Sequence, residues 1–226
     1  MASDSAALET IRIGFQRLAS ILYDEARSPA PHLCLSFAAS GQIYLAVSRI
    51  GSAAARNEGV VKQAVAVFGA LVDSEEEELL ANRKFADALM AFVDRVSDVG
   101  ILGEDTGGEV VELLFGIAAK IRMQPEILPV WFSSKVAPDE QSRSRKIGFA
   151  GVTQKGDFPL CYQLIDRVYH EGRVGDFSRT GLLYIFESAS NSESLEQWIV
   201  ESDLPTLMAS GLGALYSQLS RSVYWS

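Results

Sequence analysis

Histidine and cysteine are scarce in this chain, two of each among 226 residues, and each scarcity closes off a class of chemistry. With only His32 and His170, a multi-histidine metal site cannot be assembled, and no acidic cluster has the spacing of a carboxylate metal site. Cys34 and Cys161 are too few for a disulfide framework. Both sit among apolar residues in helical patterns, which fits a reducing, intracellular compartment. Positive charge is also short: 20 Lys and Arg against 29 Asp and Glu leave a net charge of -9, which opposes binding to nucleic acid or to an anionic membrane face. No apolar run approaches the ~20 residues needed to cross a bilayer. The first residues, Met1-Ala2-Ser3-Asp4-Ser5, carry an acid well before the first base at Arg12 and have no sustained apolar core, so they do not read as a secretory signal. A cytoplasmic protein with no cofactor is the expectation.

What is present is helical periodicity. Leu8, Ile11, Phe15, Leu18 and Leu22 mark one face of a first helix, which the prolines of Ser28-Pro29-Ala30-Pro31 end. Two shorter helices are expected over 33–40 and 42–49, separated by Gly41, and another over 59–72 through Val60, Ala64, Val67, Phe68 and Leu71. Ser74 and Glu77 have the spacing of a capping box, which makes the acidic run 75–78 a helix start rather than a cation site. Phe85, Leu89, Phe92, Val93 and Val96 supply the next stripe. Residues 99–108 read as an acidic, glycine-bearing turn. A phosphate-binding loop would need a lysine and a hydroxyl opening a helix after a strand, so nucleotide binding is not supported. Residues 110–122 are again helical, and Pro125 and Pro129 frame the piece that follows.

Residues 133–156, where serines alternate with Lys135, Arg143, Arg145 and Lys146, read as a flexible, exposed loop. Ile147 to Val152 is the one candidate strand inside it. The fold class expected is all-α, an alpha-solenoid of the HEAT or armadillo kind built from stacked antiparallel helix pairs, with 1–226 as one helical domain. The solenoid reading rests on the last helix pairs starting some forty residues apart, with no readable sequence repeat.

The most distinctive stretch is His170-Glu171-Gly172-Arg173-Val174-Gly175-Asp176-Phe177-Ser178-Arg179-Thr180-Gly181. It follows a helix carrying Phe158, Cys161, Leu164, Ile165 and Val168 on one face. Gly172 is placed to take a left-handed backbone at that helix's end, with Arg173 near its last carbonyls, and Asp176 is placed as the N-cap of the next helix. His170, Glu171, Arg173, Asp176 and Arg179 form the candidate protein-interaction surface, because the corner is more polar than its turn requires. No catalytic residues are read. Cys161 and His170, nine residues apart on a continuous helix, would turn about 900° and point to opposite faces, so they cannot act as a dyad. An enzyme of unrecognised helical type and a peripheral membrane protein acting through Arg143 to Lys146 are the alternative readings.

Three segments carry a resemblance. They are Glu-Leu-Leu-Phe-Gly-Ile-Ala-Ala-Lys-Ile-Arg-Met-Gln-Pro-Glu-Ile-Leu-Pro-Val-Trp-Phe over 112–132, the corner just described, and Leu-Met-Ala-Ser-Gly-Leu-Gly-Ala-Leu-Tyr-Ser-Gln-Leu-Ser-Arg over 207–221. Together they resemble the Hook-interacting-protein subunits of the FHF complex, the retinoic-acid-induced-16-like family. The resemblance implies a non-catalytic helical adaptor or scaffold. Its implied partners are a Hook coiled-coil protein, the Fused-Toes protein and an endosomal Rab GTPase, so that cytoplasmic dynein is linked to endosomes with which the protein associates peripherally. Family members continue beyond the point corresponding to Arg221. The chain is therefore read as a fragment or a shortened relative, and an apolar face around Leu215, Leu219 and Trp225 as a route to self-association.

Overall fold

The computed structural model describes residues 2–74, 77–99, 102–132 and 158–189, with the single positions 193, 196, 199, 206 and 209. Among the described residues there is no strand, and the order is α1 (Ala2–Ala26), α2 (Leu33–Ser40), α3 (Ile43–Ala53), α4 (Glu58–Asp73), α5 (Glu77–Leu80), α6 (Arg83–Val99), α7 (Glu104–Met123), a 3-10 turn (Pro125–Ile127), α8 (Leu128–Trp131), α9 (Pro159–Ile165) and α10 (Gly172–Ala189). The all-α expectation holds for these residues. The loop expected over 133–156, the candidate strand within it and the face around Leu215, Leu219 and Trp225 lie outside them. The chain divides into two compact units, Met1–Ile117 and Ala118–Ser226, with the division falling inside α7.

In the first unit α4 is buried around most of its circumference, through Val60, Val61, Ala64, Val65, Val67, Phe68 and Leu71 among others. A helix apolar on nearly every side must be covered on nearly every side, and α1 and α3 both pack on it. Asn57 starts α4, its side chain accepting from the Val60 amide at 3.0 Å. The stripe read for α6 is buried at every position, Phe85, Leu89, Phe92, Val93 and Val96. Phe68 lies 5.4 Å from Phe92 and 6.1 Å from Phe85 between ring centroids, and Tyr44 of α3 meets Phe85 edge-on at 5.3 Å. Gly51 lets α3 settle against this cluster: a Cβ there would lie 2.7 Å from a Phe92 ring carbon and 3.3 Å from the Ala64 methyl.

Several helix ends differ from the local reading. Between α2 and α3, Gln42 carries a left-handed backbone, φ 55°. Ser74 ends α4, its hydroxyl donating to the Leu71 carbonyl at 2.7 Å; the first residues of the acidic run read as a helix start, 75 and 76, lie outside the described residues. The start of α6 falls to Asn82, whose side chain accepts from the Lys84 amide at 2.9 Å. The acidic turn read over 99–108 is helical from Glu104 onward, because Glu58 of α4 accepts from the Gly103 amide at 3.1 Å and the Thr106 hydroxyl at 2.8 Å. A residue 45 positions away in sequence supplies the cap. Likewise His32 makes no side-chain cap for α2; the Glu25 carboxylate of α1 takes the amides of Cys34 at 2.8 Å and Leu35 at 2.6 Å.

The second unit has its own core. Phe132 and Phe158 meet edge-on at 5.2 Å, α9 packs on α10, and Gly181 brings α10 close to Leu164, whose Cδ1 would lie 3.2 Å from an added Cβ. Leu160, Cys161, Leu164, Val168, Leu182 and Ile185 are buried.

Two outcomes follow for the first unit. Gly51→Val forces a branched side chain into the Phe92 ring and is expected to lower stability by about 1–3 kcal/mol in thermal unfolding; an unchanged Tm would contradict this packing. At Glu25, partial burial pushes the carboxyl up, but the Cys34 and Leu35 amides that donate to it outweigh that and hold it below its ordinary 4.5. A lowered folded value means the contribution is complete above pH 4.5 and is lost as pH falls through the folded value. The Tm gap between wild type and Glu25→Ala should therefore be widest near neutrality and narrow below that pH. A gap constant across the acid range would refute the cap.

Candidate functional site

The corner between α9 and α10 is built from short-range turns and one buried cation. Pro159 sits in the first turn of α9, where its missing amide hydrogen is harmless, and Phe158 precedes it as N-cap. The helix ends at Ile165, sooner than its apolar stripe. Tight turns then carry the chain through Asp166 to Tyr169, with the Val168 amide donating to the Ile165 carbonyl and the His170 amide to the Arg167 carbonyl, each at 3.1 Å. Val168 stays buried, so the stripe from Phe158 to Val168 describes a continuous core face even though the helix does not last. Gly172 has the expected left-handed backbone, φ +62°, but it stands at the start of α10.

Asp176 is accordingly inside α10 and caps nothing. Its exposed carboxylate accepts from Arg179 Nη2 at 2.7 Å, one turn on. Arg179 is the residue that closes the preceding turn, the role read for Arg173. Its guanidinium donates through Nη1 to the Val168 carbonyl at 2.6 Å and to the His170 carbonyl at 3.4 Å. With its side chain only 8% exposed, Arg179 belongs to the interior and not to the surface. Arg173 is exposed, its guanidinium 5.3 Å from the Phe177 ring centroid. His170 and Glu171 are exposed as well. Four of the five residues read as an interaction surface are thus brought together on the outside of the corner, over a fifth that holds the corner in shape.

Gly175 was given no role by sequence reasoning, and it is the other fixed point. An added Cβ would run into the His170 carbonyl oxygen and fall 2.7 Å from Arg179 Nη1. The signal was available: a glycine in a helix interior costs about 1 kcal/mol against alanine, which points to a close approach. Beyond the corner, Arg122 at the end of α7 stacks over the Tyr184 ring at 4.5 Å and pairs with Glu187, tying the end of α7 to α10 within the second unit.

A cleft of about 470 Å³ in the first unit is lined by Tyr23, Lys62, Gly69, Asp73, Glu109 and Glu112 among others. Lys62 Nζ meets Glu109 at 2.9 Å, and this carboxylate raises the ammonium above its ordinary value. Burial first, then the charges of Asp73 and Glu112, push the Tyr23 phenol up, so it stays protonated. The lining includes neither histidine nor cysteine. Cys161 is completely buried and burial pushes its thiol far up, which keeps it from forming a thiolate nucleophile. The continuous helix expected from Cys161 to His170 breaks at Ile165, and the sealed thiol of Cys161 still cannot pair with His170 as a nucleophile. Among the described residues no three His, Cys, Asp or Glu side chains are grouped to hold a metal ion, and no single helix is long and apolar enough to cross a membrane.

Among the described residues the protein is all-helical, with a polar helix corner in the second unit and a polar cleft in the first. The chain belongs to the retinoic acid induced 16-like protein family, whose model matches residues 34–225. Curated relatives include a FHIP family protein of Drosophila virilis, 24% identical over 203 residues, and one of Drosophila melanogaster, 23% identical over 202 residues, in each case covering 88% of this chain and 19% of the relative. The chain spans about a fifth of the length of the relatives it matches. No solved structure matches it.

Gly175→Ala is the sharpest probe of the corner. It should lower stability by about 3 kcal/mol or more, since backbone must move to admit the methyl, whereas Arg173→Ala at the exposed position should change it by less than about 0.5 kcal/mol. Equal effects in chemical denaturation would overturn the arrangement.

Proposed function

We propose that this chain is a non-catalytic adaptor segment of the FHF type, which docks a Hook coiled-coil protein and, with the Fused-Toes protein, connects cytoplasmic dynein to endosomes through a Rab GTPase. The observation that carries the reading is membership of the retinoic acid induced 16-like family across residues 34–225, together with relatives named as FHIP family proteins. Within the chain we assign the docking role to the exposed outer face of the corner, His170, Glu171, Arg173 and Asp176. Exposed charged and aromatic-flanked residues on a fixed backbone suit a protein contact, because little ordering entropy remains to be lost on binding. We read 1–226 as one helical domain of stacked antiparallel helix pairs, an alpha-solenoid, which would present such corners along an edge.

The test is affinity capture of a purified Hook protein by the immobilised chain, with the triple variant His170→Ala, Glu171→Lys, Arg173→Glu alongside. The wild type should retain the Hook protein and the triple variant should lose it at unchanged Tm. Capture by the folded variant equal to wild type would remove the corner from the interface. No capture by the wild type would remove the Hook assignment for this chain.

A further inference from the structure

We propose that the groove between α1 and α3 is a second docking site, independent of the corner and of the partner assigned to it, and that it takes an amphipathic helix with an acidic flank. Both α1 and α3 pack on α4, and between them runs an open groove of about 610 Å³. Leu8 and Ile11 line one wall; Ala46, Arg49, Ile50 and Ala53, spaced three and four apart on one face of α3, line the other. The two alanines keep the α3 wall low, and Ile50 leaves 39% of its surface exposed. From Ala46 to Ala53 the wall runs roughly 10 Å, the length over which a partner helix offers three apolar side chains at i, i+3 or i+4, and i+7.

Charge decides which helix fits. The chain is acidic overall, yet residues 26–57 contain no Asp or Glu and carry Arg27, Arg49 and Arg56. Arg49 lies in the groove lining, is exposed, and makes no ion pair among the described residues. An apolar strip with an unneutralised guanidinium at its side complements Leu-type anchors flanked by a carboxylate, and Arg offers a planar fork for a two-point contact with it. A flat anionic bilayer is the poorer match, since the site is concave and the net charge of -9 opposes approach to such a surface.

The experiment uses the full chain and a fluorescein-labelled synthetic helical peptide with leucines at i, i+3 and i+7 and flanking glutamates, read by anisotropy at low and high salt. A second peptide has lysine at each glutamate position. The glutamate peptide should bind, more weakly at high salt, and the lysine peptide should not. Arg49→Glu should weaken the first at least tenfold and gain binding to the second, and Ala53→Gln, which raises the groove wall, should weaken the first about fivefold. Both positions are exposed, so both variants should keep the wild-type Tm. The proposal is overturned if neither peptide binds, if the two bind alike, or if folded Arg49→Glu leaves affinity unchanged. Cosedimentation with phosphatidylserine vesicles that Arg49→Glu abolishes would give the face to a membrane and overturn it too. So would a concentration-dependent dimer that Ala53→Gln dissociates, which would give the groove to a second copy.

Discussion

One buried guanidinium shapes the corner to which the docking role is assigned. Arg179 reaches from α10 to the Val168 and His170 carbonyls, which the chain presents after α9 breaks. The contact needs two further conditions. Gly175 must lack a side chain so that the His170 carbonyl can lie against α10, and Gly172 must adopt a left-handed backbone so that the chain can turn into the helix. A cation in an interior is tolerated only where its hydrogens find acceptors, and here two backbone carbonyls and the Asp176 carboxylate supply them. The consequence is a fixed backbone that leaves His170, Glu171, Arg173 and Asp176 outside it.

The same device recurs with opposite sign in the first unit. Glu25 closes the amide end of α2, and Glu58 closes that of α7. Each is a charged side chain of one helix finishing another, so each cap also fixes how two helices meet. Placing an anion at the start of a helix and a cation at the end of a turn also agrees with the direction of the backbone dipoles.

This explains what could and could not be read from the sequence. Apolar periodicity located the core faces well: Phe85 to Val96 in α6, and Phe158 to Val168 across α9 and its turn, are buried as the spacing required. Proline also worked, at Pro29 and Pro31 after α1 and at Pro159 opening α9. Helix ends were the weak point. Asp176 has the residue type of an N-cap, but local rules assume that a helix end is served by its own flanking residues. Asp176 instead lies inside α10, while the caps of α2 and α7 come from Glu25 and Glu58, nine or more residues distant. Arg179 was legible as a charged member of the corner but not as a buried one, because only the tertiary fold shows that Val168 and His170 turn their carbonyls towards it.

Both surfaces assigned docking roles follow from helix geometry. One is set by where helices end, at the α9–α10 corner of one unit, and the other by where two helices stand apart over a third, in the groove beside Arg49 of the other unit. The most direct test is native-state hydrogen exchange of Arg179→Met, which keeps the side chain's bulk and removes its donors. The Val168 and His170 amides, hydrogen-bonded within the turn, should exchange at least about tenfold faster than in wild type, with amides of α4 and α6 unchanged. Exchange at Val168 and His170 equal to that of the wild type would contradict the claim that Arg179 holds the corner.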